Sequence, residues 1–216
     1  MVGACCNLNT PSYGLKYSDS AYETTRCNGN ATSFCKEDKL VEFLADLQVI
    51  SPESIVEWTV LCEEPCRKLS IIVKKIDKYL QTCKPRKEDN LYMSLIEGTR
   101  ILRQKLCIND AFMKKFSMYH KCLHELHNDF EGCSGPADWN EDPDKNEMCK
   151  DYKGIVDCYY IKAAKVCGYK AAATIKELLK DVVNGVIKIK CSGINQNPSV
   201  QDPMPESYIR KNKGYK

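Results

Sequence analysis

No run of about 18 or more apolar residues occurs anywhere in this 216-residue chain, so no segment of it is fit to span a bilayer as a helix. The close pair C-x-x-C is missing too, and cysteine-built zinc sites generally need such pairs to bring two thiolates onto one tetrahedral ion. Neither sign of charge is in large excess. Thirty-two basic residues face 29 acidic ones, a net charge of +3 spread through the chain, which argues against a strong phosphate-binding surface and against nucleic acid as a partner. The nucleophile elbow G-x-S-x-G, the zinc-protease H-E-x-x-H and the phosphate-cradling glycine loops are all absent, so no familiar catalytic motif points to an enzyme. Residues 1–20 have neither a basic start nor an apolar core, and export would then require a leader that these residues do not supply.

What the chain does have is cysteine: Cys5, Cys6, Cys27, Cys35, Cys62, Cys66, Cys83, Cys107, Cys122, Cys133, Cys149, Cys158, Cys167 and Cys191. The content stays under the about 8–10% typical of tiny disulfide scaffolds, and 43% of the residues are apolar, so a real core with added staples is expected. Fourteen cysteines allow at most seven bridges, with the connectivity open. Bridges in that number place the protein in an oxidising, extracellular setting. Cys5 and Cys6 should reach different partners, because a bridge between neighbours strains the peptide unit that joins them. Asn30-Ala31-Thr32 is a glycosylation sequon.

The apolar pattern is helical. Leu40, Phe43, Leu44 and Leu47 share one face, and the pattern stops at Ser51-Pro52, where Ser51 can cap a second helix and Pro52 suits its first turn. Ile55, Trp58, Val60, Leu61 and Cys62 belong to that helix, and Pro65 must break or kink it. Cys66, Leu69, Val73, Ile76, Leu80 and Cys83 then alternate three and four residues apart. Leu91, Leu95, Leu102 and Leu106 mark a further helix ending at Cys107. Asn109 or Asp110 can cap its successor, whose stripe of Phe112, Phe116, Tyr119, Leu123, Leu126 and Phe130 leads to Cys133. A loop rich in Pro, Asp and Asn covers 134–146. After it come Cys149, Tyr152, Val156, Tyr159, Ala163 and Cys167, with Gly168 placed to end that helix, and a last stripe of Ala172, Ile175, Leu179, Val182 and Val186 before Cys191. The expected fold is therefore all-α, a disulfide-stapled bundle of about seven helices spanning 35–191, with an irregular arm at 1–34 and a disordered tail at 192–216.

Cys133, Trp139, Cys149, Tyr152 and Cys158, followed by Val166-Cys167-Gly168 and Cys191, resemble the second half of the nematode secreted cysteine-rich domain catalogued as domain of unknown function nineteen. Cys62, Cys66, Cys83, Cys107 and the aromatic helix leading to Cys122 and Cys133 are similar to its first half. The likeness covers roughly Cys27 to Cys191. It implies an extracellular helical domain with about six bridges and no assigned activity. Cys5 and Cys6 lie outside that pattern.

Three pieces of candidate chemistry remain. His120, His124 and His127, with Glu131 next in the row, project from one helical stripe, and a pair at i and i+4 can chelate zinc or copper. A solvated polar edge is the plainer reading of the same row. Asp138 to Asp144 begins like a calcium loop but fails, with Pro143 where the sharp glycine turn belongs and Cys149 where a bidentate glutamate belongs. Cys122 among the histidines suggests a Cys and His pair, but a bridged sulfur cannot be a nucleophile. The sequence thus leads to a non-catalytic extracellular module that engages a protein or glycan through its surface, with no cofactor. Alternatives are a carrier of a fatty acid or sterol in the bundle interior, and a metal protein or enzyme built on the histidine row.

Overall fold

The computed structural model describes residues 33–62, 64–85 and 91–205; Cys5, Cys6, Cys27 and the Asn30 sequon lie outside the described residues. The fold is all-α. Helices α1 (Glu37–Ala45), α2 (Pro52–Leu61), α3 (Pro65–Leu80) and α4 (Leu91–Arg103) come first, and α4 runs into a π-helical turn, Gln104–Ile108. Three short helices follow, α5 (Asp110–Ser117), α6 (His120–Glu125) and α7 (His127–Glu131), then a 3₁₀ turn at Trp139–Glu141 and the long α8 (Lys145–Ile187). Local signals in the chain set most of these ends. Ser51 and Ser54 form a reciprocal capping box at the start of α2, with Pro52 in its first turn. The proline at 65 separates α2 from α3 and becomes the first residue of α3, where its missing amide proton costs nothing. Asn109 Oδ1 accepts the Phe112 amide at 3.0 Å and caps α5.

Gly168 is the pivot of the molecule. Its φ of 82° and ψ of 168° interrupt α8, a conformation open to glycine and strained for other residues. The chain reverses there into a helical hairpin. Tyr152 donates to Lys180 O at 3.3 Å and Asn184 Oδ1 at 3.1 Å, and the Lys176 ammonium lies 5.3 Å from the centre of the Tyr160 ring, so residues 145–167 and 169–187 run antiparallel. This hairpin carries much of the core: Tyr152, Val156, Tyr159, Ala163, Ala172, Ile175, Leu179 and Val182 are fully buried. Helix α4 packs against it closely because Gly98 leaves space. A methyl carbon at Gly98 would sit 2.6 Å from Val186 Cγ2 and 2.8 Å from Ile55 Cδ1.

Among the described residues five bridges fasten this arrangement: Cys35–Cys83, Cys66–Cys107, Cys122–Cys167, Cys133–Cys158 and Cys149–Cys191, with Cα separations of 4.9 to 5.9 Å. Each joins segments distant in sequence. Cys66 at the start of α3 reaches the π turn, and Cys149–Cys191 closes the open end of the hairpin. Cys62 is buried and takes part in none of these five.

Two expectations need correction. The helix expected over 110–133 is broken at Met118-Tyr119 and again at Leu126, which turns α5, α6 and α7 around the core. The tail expected to be disordered from 192 is instead laid along the hairpin as far as 205, while 206–216 lie outside the described residues. Ile194 is buried, and the Met204 amide donates to Ala164 O at 3.0 Å. Lys176 supplies the reason. Its buried ammonium needs acceptors, and it finds them in Gln196 O at 2.6 Å and Asn197 Oδ1 at 3.0 Å.

Candidate functional site

A groove of about 440 Å3 opens where the start of α3, the π turn, α5 and the start of α6 meet. Its walls are Pro65, Leu106, Met113 and Phe116, and Arg67 and His120 stand among the polar groups that line it. Each wall has a local cause. Pro65 begins α3 there, and the Cys66–Cys107 bridge ties that first turn to the π turn, which re-aims Leu106. The halt of α5 at Ser117 lets α6 depart at an angle and leaves a trough between them. Met113 is 37% exposed, and Ile108 and Met118 nearby in the chain are 49% and 50% exposed, so apolar surface extends through this region. Such a volume with apolar walls suits an apolar group, and methionine adapts to varied shapes. Arg67 pairs with Glu64 at 3.3 Å on the surface, both side chains roughly three-quarters exposed, an arrangement of small energetic weight that a ligand can displace.

The histidines do form a row. Ring centroids lie 6.1 Å apart between His120 and His124 and 5.6 Å apart between His124 and His127. One nitrogen of each ring is engaged by a backbone carbonyl, however. His120 Nε2 lies 3.3 Å from Thr59 O and His124 Nδ1 lies 3.0 Å from Val60 O, so the two rings satisfy carbonyls at the end of α2 that have no partner within that helix. His127 Nδ1 turns to His124 O at 2.8 Å, because the break at Leu126 takes it out of the α6 spiral. Among the described residues no group of three or more His, Cys, Asp and Glu could hold a metal ion, which corrects the expectation of a site at His120, His124, His127 and Glu131. Only His120 lines the groove, and Cys122 is bridged to Cys167.

Sequence reasoning passed over a second cluster, the two carboxyls at i and i+4 on the buried face of α2. Glu53 accepts from Trp139 Nε1 at 3.0 Å and from the Gly135 amide at 3.1 Å. Glu57 accepts from Tyr159 Oη at 2.5 Å. Burial raises the Glu57 carboxyl above its ordinary value; the Tyr159 hydrogen bond opposes that, and Glu53 and Glu131 add to the rise. The same burial, with Glu57 beside it, pushes the Tyr159 phenol well above its usual range. A raised carboxyl in a cleft would suggest catalysis. Here neither glutamate lines the groove and both are engaged by structural donors, so the pair works as a buried latch between α2 and the hairpin.

The latch has a pH signature. A carboxyl whose folded pKa lies above its unfolded one binds its proton more tightly in the native state, so its stabilisation is full below the unfolded value near 4.5 and is lost as pH rises through the folded value. Glu57→Gln keeps an oxygen for Tyr159 and removes the titration. The variant is expected to gain stability over the native chain as pH rises above about 4.5, read from urea midpoints at intervals between pH 4 and 7. A difference that stays flat across that range would show that Glu57 does not titrate as described.

Among the described residues no helix is long and apolar enough to cross a membrane. Comparison with known protein families, with curated proteins and with solved structures finds no match to this chain.

Proposed function

We propose that the protein is an extracellular binding module without catalysis, of the kind implied by its likeness to the nematode secreted cysteine-rich domain. It engages a protein or glycan partner through its surface. Five bridges between distant segments support the compartment, since thiols are kept reduced in the cytosol of most organisms. The carrying observation is the apolar groove, a preformed hollow whose floor is fixed by the Cys66–Cys107 bridge. A fixed hollow of this kind spares a partner the cost of ordering it.

The size of the groove favours a second reading, in which it takes up a free apolar ligand of fatty acid or sterol type. Its about 440 Å3 falls in the range of small-molecule sites, and the ligand's place moves from the bundle interior to the surface. Uptake of a fluorescent fatty acid, together with organic extraction and mass spectrometry of native material, tests it. Saturable uptake that falls about tenfold in Met113→Lys is expected for a carrier, as the exposed methionine tolerates the change while the groove acquires a charge. A clean extract with no uptake would dismiss the carrier. The module reading then stands on a partner cross-linked from extracellular fluid that Met113→Lys no longer captures, and it fails if the variant captures the same partner equally.

A further inference from the structure

A second hollow, of about 640 Å3, lies between the first arm of α8 and the chain that leaves the hairpin, and it shares no lining residue with the apolar groove. We propose that this cleft is a binding site for a sulfated glycan chain. The inference rests on the extracellular reading above and names the chemistry of one partner.

Four ammonium groups line the cleft from two walls, Lys145, Lys150 and Lys153 from the helix and Lys190 from the departing chain, against one lining carboxylate, Asp157. Asp157 is occupied by Lys153, and Lys150 pairs with Glu147 at 2.8 Å. Among the described residues Lys145 and Lys190 enter no ion pair, which leaves one open cation on each wall. The Cys149–Cys191 bridge ties the two walls together and fixes the spacing of the backbone from which the lysines project.

Gly154 gives an independent indication. It lies within the helical first arm and lines the cleft, and a Cβ built on it would meet nothing within 4 Å. The glycines at 98 and 185 are different, since a Cβ there would come within 2.6 Å of Val186 and 2.0 Å of Ile101. Apart from proline, glycine is the poorest residue for a helix interior. No described residue requires it at 154, whereas a ligand lying close to the helix backbone would.

The occupant follows from what the cleft contains. Among the described residues no aromatic ring lines it, which argues against stacked nucleic acid bases. None of the exposed large apolar residues lines it either, whereas helices that lie on bilayers pair their cations with an apolar face. Asn146 and Ser192 offer amide and hydroxyl groups that suit sugar hydroxyls, and ammoniums from opposite walls suit sulfates repeated along a chain.

The test is calorimetric titration of the full chain with a heparin-derived octasaccharide and with its desulfated form at 0.15 M salt. The sulfated form is expected to bind at least about tenfold more tightly, and Lys145→Ala with Lys190→Ala is expected to weaken it by at least about tenfold. Gly154→Leu should remove binding to a similar extent while its melting midpoint holds or rises, and Gly154→Ala should raise the midpoint by roughly 2–4 °C. Any of several results would overturn the site: no binding by the native chain, equal binding of the desulfated form, full affinity in Gly154→Leu, or a lower midpoint in Gly154→Ala. Equal occupancy by inorganic sulfate, or tight binding to phosphatidylserine vesicles, would do the same. Partner capture from extracellular fluid, compared between the native chain and Met113→Lys, reports the apolar groove separately, so failure of the glycan site is distinct from failure of the module reading.

Discussion

Replacing both Cys122 and Cys167 by serine is expected to lower the unfolding free energy by about 3–4 kcal/mol. The bridge closes a segment of 45 residues, and chain entropy alone gives about 4 kcal/mol for a loop of that length. Cys133–Cys158 lies nested inside it and already shortens the free path between the outer cysteines, which brings the expected loss towards the lower figure. The double replacement is the proper test, since a single one leaves a buried thiol behind. Guanidinium unfolding at equilibrium measures the loss, and one under about 1 kcal/mol would mean that the bridge adds little to what the α6 and hairpin packing already fixes. Thiol alkylation followed by intact-mass analysis gives the companion result. Unreduced native protein should shield the ten cysteines of the five bridges, and labelling of most of them would remove the ground for an extracellular protein.

The helices were legible in the sequence wherever a local signal decided them. Ser51, Pro52 and Pro65 act within a turn or two of their own positions, and so does Gly168, whose ending of one helix and start of the next is what the backbone adopts. The breaks at Met118-Tyr119 and Leu126 have no such marker. Phe112, Phe116, Tyr119, Leu123, Leu126 and Phe130 recur at the period of a straight α-helix, so their spacing gives no sign of a bend. The core keeps Phe112, Phe116, Leu123 and Phe130 inward by bending the chain, and that demand comes from the α8 hairpin and α2, which are remote in sequence. The polar tail misleads for a similar reason. Asn195, Asn197 and the Gln196 carbonyl look solvent-bound in sequence, yet they serve as acceptors for Lys180 and the buried Lys176.

The candidate sites were less legible than the fold. Leu106 and Phe116 read as core positions, and both are buried, yet their edges form the wall of a groove once the π turn and the halt of α5 are in place. No residue type announces a π turn. The histidine row was visible as a row, and its rings do stack, but their destination is set by tertiary contact with α2. Glu53 and Glu57 would pass for solvated helix positions if their partners, Gly135, Trp139 and Tyr159, were not drawn from beyond residue 130.

Trp139→Ala is expected to cost about 3–5 kcal/mol, among the largest effects of any single replacement in this chain. The indole is 3% exposed, stacks on Tyr152 with ring centroids 6.1 Å apart, and donates Nε1 to Glu53 from the 3₁₀ turn. The more telling comparison uses phenylalanine and the chain's other tryptophan. Trp58 is equally buried, but its Nε1 has no hydrogen-bond partner among the described residues. Both replacements remove the same indole volume. At position 58 the loss is offset by deletion of an unsatisfied donor, whereas at 139 it is compounded by Glu53 losing a donor in the interior, an asymmetry of about 1–3 kcal/mol. Trp139→Phe should therefore be less stable than Trp58→Phe by about 2 kcal/mol in urea. Combining Trp139→Phe with Glu53→Gln should recover part of that cost, because the amide brings no charge into the site and retains an acceptor for Gly135. Equal costs at the two tryptophans would show that the indole contributes only packing, and the tie between α2 and the turn before α8 would then owe nothing to its donor.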